Sequence, residues 1–347
     1  MASAFFLIMH HVITQGGILS SFQSISFDYI IAYSMEIVSY IFLDCFMLIS
    51  GFIDTDTNQQ ISRYMNLYFV VFFYSVGLTT ANYLVGGIPF ISVIKSALPL
   101  NTKVYWYFTA YTLLAITRPI LRSYIKHSTN SQLFITIAAL VGLCAIPPFL
   151  GLNDLYSINN GMSGIWLCIA YLIGAFLKRN EGWNDISKNK LRFVYLITVI
   201  ILIIVGILLS KYISSYVEWL WRSPSSPILM LAACVLVLLF SRIEMTHKIK
   251  KWVQLIAPTS FGVYLIHVHP FLFSLLENRF SYLATSPVFT MVPFIFLICI
   301  VYYLFCVLID LLRNKLFQLC CIKNLSNGIE QLINKHFTQR VNKTITE

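Results

Sequence analysis

Long apolar runs alternate with short polar segments along most of the chain. A helix that crosses the hydrocarbon core of a bilayer needs roughly 17 to 25 residues, and most of these runs reach or approach that length. Because the backbone must satisfy its own hydrogen bonds in lipid, such runs predict helices and not barrel strands. We place the runs at 1–15, 29–53, 65–86, 104–121, 131–150, 161–178, 193–213, 226–241, 256–276 and 286–312.

This pattern predicts an all-α, polytopic integral membrane protein of about ten transmembrane helices. The first run starts at Met1, with no basic residues before it and no small-residue cleavage site after it, so we expect a membrane helix there and not a signal peptide. The composition agrees, because 58% of the residues are hydrophobic and only 11% are charged, against roughly 25% in an average soluble domain. Lipid must therefore cover much of the surface.

The distribution of Lys and Arg predicts the orientation, because cytoplasmic loops carry an excess of both. With the N-terminus in the cytoplasm, most of the 24 Lys and Arg residues fall on the cytoplasmic side. We therefore expect both termini to be cytoplasmic in a cell inner (plasma) membrane, with a membrane domain over 1–312 and a basic cytoplasmic tail over 313–347. The outer side then holds Lys95, Lys103, Lys211, Arg222 and Arg279.

Neither charge nor cysteine usage indicates another class of protein. The net charge of +10 does not predict nucleic-acid binding, because the charges lie between apolar runs and form no basic domain. Most of the cysteines lie inside apolar runs, where a thiol behaves as a small hydrophobic group. Without a CxxC pair, an HExxH motif, a Walker loop or a GxGxxG motif, we expect no metal and no bound cofactor.

Ionisable side chains inside apolar runs are costly in lipid and therefore suggest function. His10 and His11 lie in the outer half of the first run, and imidazole is suited to general-base chemistry. Adjacent helical residues point about 100° apart, so only one of the two is expected to face a given pocket. Glu36 lies at a similar depth in the second run and could orient an imidazole, while Asp44 lies near the midplane. The alternative is that these groups hydrogen-bond helices together.

Two further features of the runs carry candidate residues. His267 and His269 lie near the midplane, before Pro270, which removes a backbone donor and predicts a break or kink of the kind that often lines sites. Trp106 belongs to an aromatic run that fits either an interfacial belt or a sugar-stacking platform. Packing remains the alternative for both features.

Short motifs that are weak individually follow one another in a fixed order along nearly the whole chain. They are Leu7-Ile8-Met9-His10-His11 with Gly16-Gly17; Phe46-Met47-Leu48-Ile49-Ser50-Gly51-Phe52; Tyr105-Trp106-Tyr107-Phe108 with Arg118-Pro119; Trp166 with Tyr171-Leu172-Ile173-Gly174; Ser260-Phe261-Gly262-Val263-Tyr264-Leu265-Ile266-His267 with His269-Pro270; and Asp310 with Arg313. In this order the chain resembles the bacterial acyltransferase-three family, integral-membrane enzymes that acylate sugars of surface polysaccharides and related glycans.

The resemblance implies a reaction and its partners. A histidine of the first helix would act as general base on a sugar hydroxyl, or accept the acyl group. An acyl-CoA, usually acetyl-CoA, would be the donor substrate, and a glycan or lipid-linked sugar would be the acceptor. We expect the catalytic residues to be His10, His11 and Glu36. The candidate substrate-binding residues are Asp44, Trp106, Arg118, His267 and His269.

One position departs from the family pattern. The family carries an arginine upstream of the first-helix histidine, at a spacing that falls just before Met1 here. Either the assigned start is internal or the protein lacks this arginine, and we expect the former, with an arginine codon directly upstream. The same spacing leaves His10 and His11 hard to separate and slightly favours His11.

Two other function classes remain open from the sequence. A transporter of glycan or acyl units would use the buried His and acidic residues to relay protons. No inverted-repeat pattern is visible, which argues against it. A sensor or scaffold would tolerate the loss of every intramembrane histidine.

Overall fold

The structure, a computed structural model, describes residues 1–54, 60–102 and 104–346, so Lys103 of the orientation argument lies outside the described residues. Within these ranges the secondary structure is helical, without a strand, which confirms the all-α part of the predicted fold class. The α-helices are α1 Ala2–Thr14, α2 Phe27–Phe52, α3 Gln60–Leu84, α4 Phe90–Ser96, α5 Trp106–His127, α6 Asn130–Leu140, α7 Ile146–Phe149, α8 Gly164–Arg179, α9 Lys188–Tyr212, α10 Ser215–Trp221, α11 Pro227–Ser241, α12 His247–Ile256, α13 Ser260–His267, α14 Pro270–Leu276, α15 Val288–Leu319 and α16 Ile322–Thr346.

The protein is a multi-pass membrane protein. In the described part of the chain, 6 helical segments are long and apolar enough to cross a membrane, or 7 if α12 to α14 count as one span bent by 75°. Length and composition thus support fewer spans than the predicted count of about ten. The predicted runs 104–121, 161–178 and 226–241 correspond to α5, α8 and α11, which fall outside these candidates. The 6 segments are Ala2–Ser21, Phe27–Phe52, Ile61–Leu84, Asn130–Phe149, Lys188–Tyr212 and Val288–Leu319.

Helix α2 lies at the centre of the bundle and packs against α1, α8, α9, α11 and α15. Its start is well defined, because the Ser26 hydroxyl accepts the Tyr29 N–H at 3.1 Å as an N-cap. Asp28 in the first turn accepts the Val288 N–H at 2.9 Å, which ties the start of α2 to the start of α15. The interior of α2 includes the fully buried carboxyl groups of Glu36 and Asp44.

Glycines allow α2 and α8 to cross in close backbone contact. A Cβ atom on Gly51 would lie 1.9 Å from the Tyr171 carbonyl oxygen, and one on Gly174 would lie 2.1 Å from the Leu48 carbonyl oxygen. Small residues permit this approach between membrane helices. At the same end of α2, the Asp54 carboxylate accepts hydrogen bonds from Arg122 of α5 and from the hydroxyl of Tyr171. Three helices are therefore fixed together there.

The end of α1 is attached to the segment that follows α14. The backbone N–H groups of Asn278 and Phe280 donate to the carbonyl oxygens of Gln15 at 3.0 Å and Gly16 at 2.9 Å. Gly17 has φ +82°, a conformation that favours glycine, and a Cβ there would lie 2.7 Å from the Asn278 side chain. This attachment holds α1 beside α13 and α14.

The C-terminal part of the chain packs onto the bundle. α15 continues to Leu319, so the predicted domain boundary at 312/313 falls inside a helix. α16 packs against α3, where the Ser326 hydroxyl donates to Asn66 at 2.9 Å.

Candidate active site

His10 of α1 faces a buried carboxylate on α2. Its Nδ1 lies 3.3 Å from Glu36 Oε1, an ion-pair distance without hydrogen-bond geometry. Its ring stacks on Tyr40 with centroids 4.6 Å apart. Tyr40 is four residues after Glu36, so both project from one face of α2 toward α1. The position of His10 thus follows from the packing of α1 on α2.

A guanidinium from outside the predicted runs reaches the same carboxylate. Arg222 follows α10, and its Nη1 donates to Glu36 Oε1 at 2.6 Å. Its Nε lies 2.6 Å from Glu218 Oε1, which also accepts the Tyr33 hydroxyl at 2.6 Å. Sequence reasoning missed Arg222 and Glu218. The available signal was their i, i+4 spacing, which places opposite charges on one helical face.

Contacts on several sides hold the α10 segment in place. Gly206 of α9 leaves room for the Tyr33 hydroxyl, because a Cβ there would lie 2.2 Å from it. The Trp221 indole N–H donates to the Leu202 carbonyl at 3.1 Å. Gly161, with φ +94°, packs against Pro224. These contacts fix the segment that carries Arg222 and so hold its guanidinium in position.

His11 faces α13 and α14. Its ring centroid lies 5.4 Å from that of His267 and 5.0 Å from that of Phe273. His267 Nδ1 donates to the Val263 carbonyl at 2.7 Å, since a carbonyl only accepts. In the neutral ring, Nε2 is then an acceptor, and it is buried without a hydrogen-bond partner among the described residues.

The two adjacent histidines point to different helices, as the predicted angular separation requires. His10 contacts α2 and His11 contacts α13 and α14, yet their rings lie 5.0 Å apart. A row of imidazoles runs from His10 through His11 to His267, with Glu36 at one end. Among the predicted site residues, the structure brings these four together.

His269 is placed in a separate environment, at the break between α13 and α14. Its Nδ1 accepts the Phe271 N–H at 3.2 Å and so caps α14. Nε2 then carries the proton and donates to Thr79 Oγ1 at 3.2 Å. The predicted break at Pro270 is present. His269 stabilises it, because both of its ring nitrogens form hydrogen bonds there.

Asp44 and Trp106 also lie apart from the imidazole row. Asp44 is about 12 Å along α2 from Glu36 at 1.5 Å per residue, and both its carboxyl oxygens are buried without a hydrogen-bond partner among the described residues. Trp106 begins α5 and contacts Tyr107 edge-on, with centroids 5.7 Å apart. The Tyr107 N–H in turn donates to the Tyr264 hydroxyl of α13 at 3.3 Å.

Arg118, in α5, lies near the C-terminal end of α2 and far from Glu36. Its guanidinium is 5.7 Å from the ring centroid of Tyr111 and 6.0 Å from that of Tyr171, a cation–π arrangement. Because Tyr171 also bonds Asp54, Arg118 sits near the end of α2. Glu36 and Asp54 are about 27 Å apart along the helix axis, so Arg118 cannot contact the imidazole row. In the described ranges, no group of three or more His, Cys, Asp or Glu residues is placed to hold a metal ion.

A multi-pass helical membrane protein with imidazoles and charged side chains gathered in its interior is typical of a membrane enzyme. The model of the acyltransferase-three family, described as an acyltransferase domain, matches residues 2–311. The chain belongs to this family and is a membrane acyltransferase, which confirms the resemblance seen in the motifs and does not favour the transporter alternative. Neither the curated proteins nor the solved structures include a significant match to the chain.

Proposed function

We propose that the protein transfers an acetyl group from acetyl-CoA to a hydroxyl of a surface polysaccharide or its lipid-linked precursor. The hydroxyl oxygen attacks the thioester carbonyl, a C–O ester bond forms and the C–S bond breaks. An imidazole of α1 takes the hydroxyl proton and returns it to the departing CoA sulfur. Protein side chains then supply all proton transfers, and no metal or redox cofactor is required.

The observation that carries this proposal is the imidazole row beside the Glu36 carboxylate. We assign the general base to His11, because no carboxylate among the described residues lies against its ring, whereas the ring of His10 lies against Glu36. Both α1 histidines are half-buried, so we expect a substrate hydroxyl to reach the row. His10 is turned toward Glu36 at 3.3 Å and is the neighbour that links the base to the carboxylate.

The membrane arrangement forms part of the proposal. We infer that α5, α8 and α11 complete a bundle of about ten spans in a cell inner membrane, with both termini in the cytoplasm. Acetyl-CoA would then enter from the end that carries Arg118 and the basic loops. The glycan acceptor would reach the row from the end that carries Arg222. Membrane lipid surrounds the remaining surface.

Substitution of the two α1 histidines tests the assignment. His11→Ala should remove nearly all transfer of labelled acetyl groups from acetyl-CoA to glycan in isolated membranes, His10→Ala should remove less, and the double variant should abolish it. His247→Ala is a matched control, because His247 is exposed at the start of α12. Undiminished acetylation in the double variant, at an equal amount of folded protein, would contradict the assignment.

A further inference from the structure

One guanidinium lies between two buried carboxylates at the end of the imidazole row. Arg222 is 19% exposed, Glu36 is fully buried and Glu218 is 8% exposed. Each carboxylate has an oxygen 2.6 Å from the guanidinium. With one positive and two negative groups, this trio carries one negative charge in excess. A buried charge without a partner destabilises the fold unless a further positive group pairs with it or the charge serves a function.

We propose that Arg222 and Glu218 are positioning residues of the acyl transfer. Arg222 fixes Glu36 against His10, and the excess negative charge of the trio stabilises the imidazolium that forms when an α1 histidine takes the acceptor proton. This inference rests on the proposed function and adds to it two residues that contact neither substrate. The electrostatic benefit is largest during proton transfer, when positive charge develops on the imidazole.

The groups that face the α1 pair support this assignment. α2 contributes Tyr40 and Glu36, and α13 contributes His267. Tyr40 and His267 are neutral or cationic, so neither stabilises a positive charge on a neighbouring imidazole by ion pairing. Among the described residues in contact with the row, Glu36 supplies the negative charge, and Glu218 adds a second carboxylate through Arg222. The interaction is strong because the charges lie in a largely water-excluded region.

The ionisation state of Glu218 decides whether the trio carries this excess negative charge. Burial and the neighbouring Glu36 carboxylate raise the pKa of Glu218, while Arg222 and the hydrogen bond from Tyr33 oppose that rise. Glu218 Oε1 faces two donors, the Tyr33 hydroxyl and the guanidinium Nε. Two donors on this oxygen, one of them a guanidinium, stabilise the ionised form of Glu218.

Two substitutions change the charge of the trio in opposite directions. Glu218→Gln makes it neutral, so the imidazole remains unprotonated to lower pH. Arg222→Gln leaves two negative charges, so the imidazole is protonated at higher pH. The acid limb of the kcat/KM profile should therefore move to lower pH in Glu218→Gln and to higher pH in Arg222→Gln, by about one pH unit each.

Matched variants on the same side of the molecule serve as controls. Glu277 and Arg279 are exposed near the end of α1, so Glu277→Gln and Arg279→Gln should leave the acid limb in place. Arg222→Lys should return the limb toward its original pH, because it restores the charge.

A second measurement reads the imidazole without acyl transfer. Diethyl pyrocarbonate modifies neutral imidazole, and the pH midpoint for modification of His11, followed by mass spectrometry, should show the same opposite movements. If the midpoints move while no protein variant transfers acetyl groups, the electrostatic inference stands and the proposed function fails. If both variants lose activity and neither the limb nor the midpoint moves, Arg222 and Glu218 are structural only and the inference is overturned.

Discussion

At the residue scale, histidines that look equivalent in the sequence differ in their hydrogen bonds. His269 uses both nitrogens, one to cap α14 at Phe271 and one on Thr79. His267 uses Nδ1, and its Nε2, close to His11, has no hydrogen-bond partner in the described part of the chain. An imidazole with two bonded nitrogens cannot exchange a proton without breaking a bond, whereas one with an unpaired nitrogen can. The hydrogen bonds therefore suit His269 to a structural role and His267 to proton exchange.

His267→Ala and His269→Ala should consequently differ in kind. We expect His267→Ala to lower kcat at least tenfold, because the group next to His11 is lost, a change of about 1.4 kcal/mol. His269→Ala should mainly lower stability, by about 1 kcal/mol for the lost cap. Acetyl transfer per folded molecule, combined with thermal unfolding in detergent, distinguishes the two. Equal kcat values for His267→Ala and the unsubstituted protein would assign His267 to packing.

The residue scale also shows where prediction from sequence ends. His10, His11 and Glu36 were found because ionisable groups are rare inside apolar runs. Arg222 and Glu218 were missed because charges are ordinary in a segment between runs. Their burial arises only when α10 folds back against α2 and α9, a tertiary contact that local sequence does not encode.

Helix crossings account for some of the motifs at the element scale. Gly51 and Gly174 belong to two motifs that are far apart in sequence, and the structure places both in the crossing of α2 and α8. Their shared role is close backbone packing, which positions α2 and therefore Glu36. A motif can thus serve the reaction without any contact with substrate.

Gly51→Ala should destabilise the bundle, because the added Cβ would meet the Tyr171 carbonyl oxygen at 1.9 Å. We expect a loss of about 1–3 kcal/mol from this overpacking. Gly77→Ala in α3 is the matched control, since a Cβ there meets no atom of the described residues within 4 Å. Thermal unfolding in detergent provides the measurement. Equal unfolding temperatures for the two variants would show that α2 and α8 can move apart at their crossing without a loss of stability.

The same scale explains why the candidate spans are fewer than the predicted runs. Apolar composition located α8 and α11, but these helices have only 16 and 15 residues. At 1.5 Å per residue they measure about 24 and 22 Å, less than the hydrocarbon thickness of about 30 Å. Most of their residues are buried against other helices. Sequence gives the position of such helices, whereas their relation to the bilayer depends on the surrounding bundle.

The functional groups of the whole molecule are divided between its two ends. Arg222 and the attachment of α1 lie at one end, and the Asp54–Arg122 pair lies at the other. In the orientation that we propose, the Lys and Arg residues concentrate at the end with Asp54, and this end would face the cytoplasm under the positive-inside rule. A donor rich in phosphate and an exported acceptor would then approach the imidazole row from opposite sides.

Labelling of single cysteines tests this orientation. Cys320 and Cys321 are exposed and would first be replaced by Ser. Ser24, between α1 and α2, and Lys248, in α12, are exposed positions at the two ends. In intact cells, a membrane-impermeant maleimide should label Ser24→Cys, and it should label Lys248→Cys only after the membrane is opened. The reverse pattern would place the Arg222 end in the cytoplasm, and acceptor access from outside the cell membrane would have to be abandoned.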